Sequence, residues 1–181
     1  MDWYDKLSDY FPEHEMKNPQ HLKDLIADKD IYHKEENSEY ITLYAEFPSF
    51  VFIDYLLVTS KQRGKGIGTR VLDGFKAKGK LVLLEAEPKD PDNDDAQRRL
   101  NFYARNGFKQ ADQIVYEREN DEGESFRMHI LYWAPAALPQ EEILTKMAMA
   151  CKEIHNYRSK RYYGRVLADP EEVLRLKTDQ V

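Results

Sequence analysis

The 181-residue sequence predicts an α/β chain in which helices flank a sheet, organised as one compact domain with an appendage. Three observations predict it. Apolar residues alternate over 40–45, 108–117 and 126–134; the runs 50–59 and 81–84 are apolar on both faces and joined by a segment of helical period; and four further stretches read as helices.

Residues 2–10 and 19–28 read as short helices, the second opened by Pro19 and carrying Leu22, Leu25 and Ile26 at helical spacing. Neither is long enough to be stable alone. From Asp30 to Glu46 the pattern is a hairpin, with Ile41, Leu43 and Ala45 on one face, Tyr40, Thr42 and Tyr44 on the other, and a polar turn at 35–38. Phe50 to Thr59 reads as a central strand. Val71, Leu72 and Phe75 mark a helix ending near Gly79, and Leu81 to Leu84 form the next strand; this βαβ unit predicts a parallel pair. Asp95 to Asn106 is an amphipathic helix with Leu100, Tyr103 and Ala104 inward, stopped by Asn106-Gly107. Two strands, 108–117 and 126–134, follow around an acidic turn at 119–124 and end the predicted core. After Pro135 and Pro139, the residues Ile143, Leu144, Met147, Cys151 and Ile154 recur at helical spacing, which predicts a helical extension over 136–181 packed on a unit spanning 1–135.

Composition narrows the function. With 27 Lys plus Arg against 33 Asp plus Glu, the net charge of −6 argues against a protein that binds phosphate backbones, so no nucleic-acid partner is expected. Cys151 alone cannot form an internal disulfide, and Met1-Asp2-Trp3-Tyr4-Asp5 lacks the features of a secretory signal, which predicts a cytoplasmic protein. The most apolar stretch, Phe50 to Val58, is interrupted by Asp54 and is far short of the roughly 20 residues of a membrane span, so no membrane partner is expected.

The run Thr59-Ser60-Lys61-Gln62-Arg63-Gly64-Lys65-Gly66-Ile67-Gly68-Thr69 lies between a buried strand and a helix start. Its three glycines let main chain approach a ligand, and the N–H groups of the helix N-terminus suit a pyrophosphate, with Arg63 and Lys65 adding charge. A Walker loop needs Gly-Lys followed by Ser or Thr, and a dinucleotide fingerprint needs a longer last interval than Gly66-x-Gly68 offers. The run instead resembles the acyl-CoA loop of the GNAT superfamily of N-acetyltransferases, Gln/Arg-x-x-Gly-x-Gly/Ala, with Arg63, Gly66 and Gly68 at its defined positions. Downstream, Asn101-Phe102-Tyr103-Ala104-Arg105-Asn106-Gly107-Phe108 is similar to the family's second signature, and the resemblance covers roughly residues 20–134. It departs at the start, which shows no clear apolar first strand, and at the end, where the extension is extra.

The resemblance implies a mixed, mostly antiparallel sheet splayed around the cofactor, and transfer of an acetyl group from acetyl-CoA to an amine acceptor by direct attack in a ternary complex. It implies a CoA site built from the main chain of Leu57 and Val58, from Arg63, Gly64, Lys65, Gly66, Ile67, Gly68 and Thr69, and from Asn101, with Tyr103 as the acid that protonates the departing thiolate. A Lys-like amine has a pKa near 10.4, so deprotonating it at neutral pH costs roughly 4 kcal/mol and a carboxylate base would help. Asp54 and Glu85 are the candidates, with Glu87 on the same face as Glu85; the structural alternative is pairing with Arg98 or Arg99. The acceptor can be a small molecule or a protein amine, and a homodimer is allowed. A non-catalytic GNAT-fold regulator or adaptor working through its C-terminal helix is the rival reading.

Other candidates are weaker. Asp90, Asp92 and Asp94 lack the Gly and Glu of a calcium loop, and His14, His21, His33, His129 and His155 show no metal-ligand spacing, so no metal is expected. Cys151 falls on an apolar face, which predicts an inert buried thiol. Arg158, Lys160, Arg161 and Arg165, interleaved with Tyr162 and Tyr163, read as a solvated helix end.

Overall fold

A computed structural model describes residues 2–59, 61 and 64–177. Helix α1 (Asp2–Tyr10), a 3₁₀ turn (Glu13–Glu15) and α2 (Pro19–Asp28) open the chain. The Asn18 side chain caps α2 by accepting the Gln20 N–H at 2.8 Å, and Pro19 sits where no intrahelical donor is needed. Leu7, Leu22 and Leu25 are fully buried, so these short helices are held by packing rather than by propensity.

Strands β1 (Tyr32–Glu36) and β2 (Tyr40–Glu46) form the expected hairpin, followed by β3 (Phe50–Val58), α3 (Ile67–Lys76), β4 (Leu81–Ala86) and α4 (Asp94–Arg105). Then come β5 (Lys109–Gln110), β6 (Ile114–Glu119), β7 (Ser125–Trp133), α5 (Gln140–Ala150), a π turn (Cys151–His155), α6 (Ser159–Tyr163), α7 (Pro170–Val173) and β8 (Leu174–Leu176). The sheet runs β1-β2-β3-β4-β7-β6-β8, with β5 also on β7. Among the described residues its one parallel pair is β3 with β4, and the other pairings are antiparallel.

Strands β3 and β4 are apolar on both faces because both faces are covered. Phe50, Phe52, Leu81 and Leu83 pack with Leu7, Leu22 and Leu25 on one side; Val51, Ile53, Val82 and Leu84 pack with Leu72, Phe75 and Tyr103 on the other. The parallel ladder joins Phe50–Ile53 to Leu81–Leu84 and stops there. Beyond it, β4 continues beside β7, pairing Glu85 with Ile130 and Ala86 with His129, so the two central strands part after Ile53. That fork positions the site.

The structure corrects four readings. Ala104 faces solvent, and the buried side of α4 is Ala96 and Tyr103. The strand expected over 108–117 is β5 and β6 separated by a turn at Ala111, whose carbonyl accepts from the Ile114 N–H at 3.2 Å. The C-terminal extension is not wholly helical, since β8 pairs Ile114–Tyr116 of β6. Its Ile143, Met147, Ala150, Cys151 and Ile154 are each 0 % exposed and share one core with α1 and α2. The run from Arg158 is not simply solvated either, because Tyr163 turns inward and its hydroxyl accepts the Asn18 N–H at 2.8 Å. Among the described residues no helix is long and apolar enough to cross a membrane.

Candidate functional site

Two cavities open where β3 and β4 part. The larger, about 480 Å³, is bounded by Leu56, Leu57 and Val58 of β3, by Gly64, Gly66, Ile67, Gly68 and Thr69 at the start of α3, and by Asn101, Phe102, Tyr103, Arg98 and Arg105 of α4. Gly66 caps α3 in the left-handed region at φ 76°, with no side-chain cap, so the first-turn N–H groups are not covered by a capping side chain. A Cβ on Gly66 would meet no protein atom within 4 Å, whereas a Cβ on Gly68 would lie 2.7 Å from the Phe102 ring. Gly66 thus leaves room for a ligand, and Gly68 lets α3 close against α4. Eight of the sequence-predicted cofactor residues border this cavity. Lys65 is exposed and does not line it, and Arg63 lies outside the described residues.

The smaller cavity, about 80 Å³, lies on the other side of the fork, between the 3₁₀ turn, β3, β4, α4, the β6–β7 turn and residues 163–167. Asp54, Glu85 and Tyr103 all line it, as do Glu15, Lys17, Arg118, Tyr163 and Arg165. Leu56, Arg99 and Tyr103 border both cavities, so they stand at the junction. Tyr103 is buried between Phe102 and Phe108, and burial, with Tyr10 nearby, raises its hydroxyl above the ordinary range.

The carboxylates differ sharply in their partners. Asp54 accepts from Lys17 Nζ and from the Tyr32 hydroxyl, both at 2.7 Å, in a pair whose side chains are 3 % and 5 % exposed. Glu85 accepts from the Tyr116 hydroxyl and, at 2.9 Å, from His155 Nε2, with Arg118 at 3.7 Å. Burial opposes its charge, but His155, Arg118 and Lys17 outweigh burial and hold it below the carboxylate range. Burial and Lys17 lower the pKa of His155 against the opposing pull of Glu85. Glu87 is bound by Arg99 Nη2 at 3.2 Å. The alternative partners expected for these acids, Arg98 and Arg99, therefore apply to Glu87 alone; Arg98 reaches Asp95 instead.

Glu15 was not visible in the sequence. Burial, followed by contact with Glu87, pushes its carboxyl up to about 8 against the pull of Arg99. Its only signal is tertiary, since Glu87 is 72 positions away along the chain. Among the described residues, the buried side-chain atoms without a hydrogen bond are Glu15 Oε2, Arg99 Nη1, Arg118 Nε and His155 Nδ1. Three of these residues line the smaller cavity, and the fourth holds Glu85, which lines it too. Buried polar groups are otherwise paired, so their concentration at one cavity marks a place built for a ligand. Cys151 is inert: burial and Glu85 raise its thiol to about 12. No group of three or more His, Cys, Asp or Glu suited to a metal occurs among the described residues.

The chain is 43 % identical over 178 residues to the Bacillus subtilis (strain 168) protein named "Putative acetyltransferase YjbC", covering 97 % of this chain and 93 % of that one. Its fold matches a "Putative acetyltransferase from GNAT family" of Bacteroides thetaiotaomicron with a TM-score of 0.66, at 20 % identity over 89 % of this chain and 90 % of that one. A GNAT-family structure from Desulfovibrio desulfuricans matches with a TM-score of 0.52, at 16 % identity over 74 % and 89 % of the two chains. No family model matches the sequence.

Proposed function

The chain belongs to the GNAT superfamily of acetyltransferases, and from that premise we propose that it moves the acetyl group of acetyl-CoA onto a cationic primary amine. The larger cavity suits the cosubstrate. The uncapped start of α3 offers N–H donors and a positive dipole end to the pyrophosphate, and the edge of β3 near Leu57 and Val58 runs toward the junction where the thioester would lie. The smaller cavity suits the acceptor. Its walls carry Glu13, Asp54, Glu85, Glu119 and Asp121 against Lys17, Arg99, Arg118 and Arg165, an excess of one negative charge even with Glu15 protonated, which attracts an ammonium group.

The observation that carries this reading is the position of Tyr103, which borders both cavities. An acid there can protonate the sulfur as the amine attacks from the opposite side, and a phenol held neutral by burial is available for that transfer. In this reading Asp54 and Glu85 act as fixed negative charges behind the acceptor, each already supplied with donors. The adaptor alternative finds no support, because the buried face of α5 is spent within the core.

The test is a panel of amines incubated with acetyl-CoA and read by release of free thiol. Cationic primary amines should be acetylated, and carboxylate-bearing amines should be poor acceptors. Retained CoA binding with no thiol release from any amine would defeat the proposal.

A further inference from the structure

We propose that Glu15 takes the proton from the ammonium group of the acceptor, with Glu87 and Arg99 setting it for that task. This rests on the amine-acetylation reading above. Glu15 ends the 3₁₀ turn, which is pinned to β3 by the Tyr55 hydroxyl donating to the Glu15 carbonyl at 2.6 Å. Its side chain lines the acceptor-side cavity together with Tyr103, and its Oε2 is buried with no hydrogen bond. Across from it, Glu87 is tied to Arg99, whose Nη1 is likewise unpartnered and whose side chain borders both cavities. Arg99 binds Glu87 and acts on Glu15 only through its charge, so a proton on Glu15 relieves the repulsion between the two carboxyls.

Glu15 faces His14 of its own turn, with Nε2 at 4.0 Å, Glu85 of β4, Glu87 just beyond that strand, and Arg99 of α4; Asp54 of β3 lines the same cavity, and Tyr55 of β3 holds the Glu15 carbonyl. Glu87 approaches Glu15 as a second carboxyl, and neither His14 nor Arg99 donates to Oε2. Asp54 and Glu85 differ in that respect, since their oxygens already accept from lysine, tyrosine, histidine or arginine, which makes them poor proton acceptors. An ionised carboxyl whose pKa is pushed up to about 8 is a stronger base than an ordinary carboxylate and still ionises in part at neutral pH.

The step balances. The ammonium nitrogen gives one proton to Glu15 Oε2, and its freed lone pair forms the C–N bond to the acetyl carbon. As the C–S bond breaks, Tyr103 gives its proton to sulfur and recovers the second proton from nitrogen. Glu15 then returns its proton to water.

Infrared difference spectra during a pH titration provide the first test. The parent should show the C=O band of a protonated carboxyl at pH 7 that disappears through about pH 8, and Glu15→Gln should lack it while still binding CoA. Removing the neighbour with Glu87→Gln should move that titration to lower pH. The second test compares the best alkylamine of the panel with its fluorinated analogue, whose nitrogen is already neutral at pH 7. Glu15→Gln should slow the alkylamine about 10²-fold and the fluorinated amine less than threefold. A Glu15 already ionised at pH 6, or equal slowing of both amines, would overturn the assignment. A parent inactive on every amine would instead defeat the acetylation reading, and the infrared band would still report the proton.

Discussion

Tyr103 borders both cavities, and on the proposed reaction its substitution separates chemistry from binding. Tyr103→Phe keeps the ring between Phe102 and Phe108 and removes only the hydroxyl. Turnover should fall about 10²-fold or more, with CoA affinity nearly unchanged, as measured by steady-state thiol release and calorimetric titration. Full activity in that variant would return Tyr103 to a packing role. The same scale shows what sequence reading can reach. Tyr103 was legible because its motif is local, and Asp54 and Glu85 because each charge interrupts an apolar strand. Glu15 was not, because nothing in Pro12 to Met16 distinguishes it from Glu13 until the fold brings Glu87 against it.

At the level of elements, the proposed cosubstrate site is tested at the entry into α3. Gly66→Glu should fold, because its Cβ meets no protein atom, and should lose about 1–2 kcal/mol from the left-handed backbone position. For a chain of this size that is a fall in Tm of about 2–8 °C by calorimetry. CoA affinity should drop at least about tenfold through steric and charge exclusion at the helix end. Unchanged affinity would remove the loop from the site. The helices over 2–10 and 19–28 and the βαβ unit were legible because their period, caps and glycines act within a few residues. Strand β8 and the π turn were not. Leu174-Arg175-Leu176 becomes a strand only because the edge of β6 is there to pair with it, and Cys151 to His155 widen while His155 lies buried against Glu85. Ala104 was misjudged for a related reason: α4 packs along Ala96 and Tyr103, which leaves the next position outward.

For the whole molecule, opposing titrations set a stability optimum. His21 is fully buried, with Nε2 at 2.9 Å from the Ile154 carbonyl, and burial followed by Lys17 lowers its pKa to about 3. The native state therefore binds fewer protons than the unfolded chain between about 3 and 6.5, and stability is lost as pH falls through that window; His155 acts in the same direction. Glu15 works the other way, since its raised pKa makes the native state bind more protons between 4.5 and about 8, so stability falls as pH rises. Each group contributes a slope of roughly 1.4 kcal/mol per pH unit within its window. Calorimetric Tm should peak near pH 6.5, and Glu15→Gln should flatten the alkaline side; a parent Tm that climbs steadily to pH 8 would refute this. The smaller cavity also has a history in time. Tyr163, Arg165 and Leu167 are among its walls, and β8 closes the sheet beyond them. Because a chain leaves the ribosome N-terminus first, the residues of the larger cavity, which end at Arg105, are all made before Tyr163, Arg165 and Leu167 of the smaller one. A chain cut short before Tyr163 would thus carry every residue that lines the larger cavity and lack three that line the smaller one.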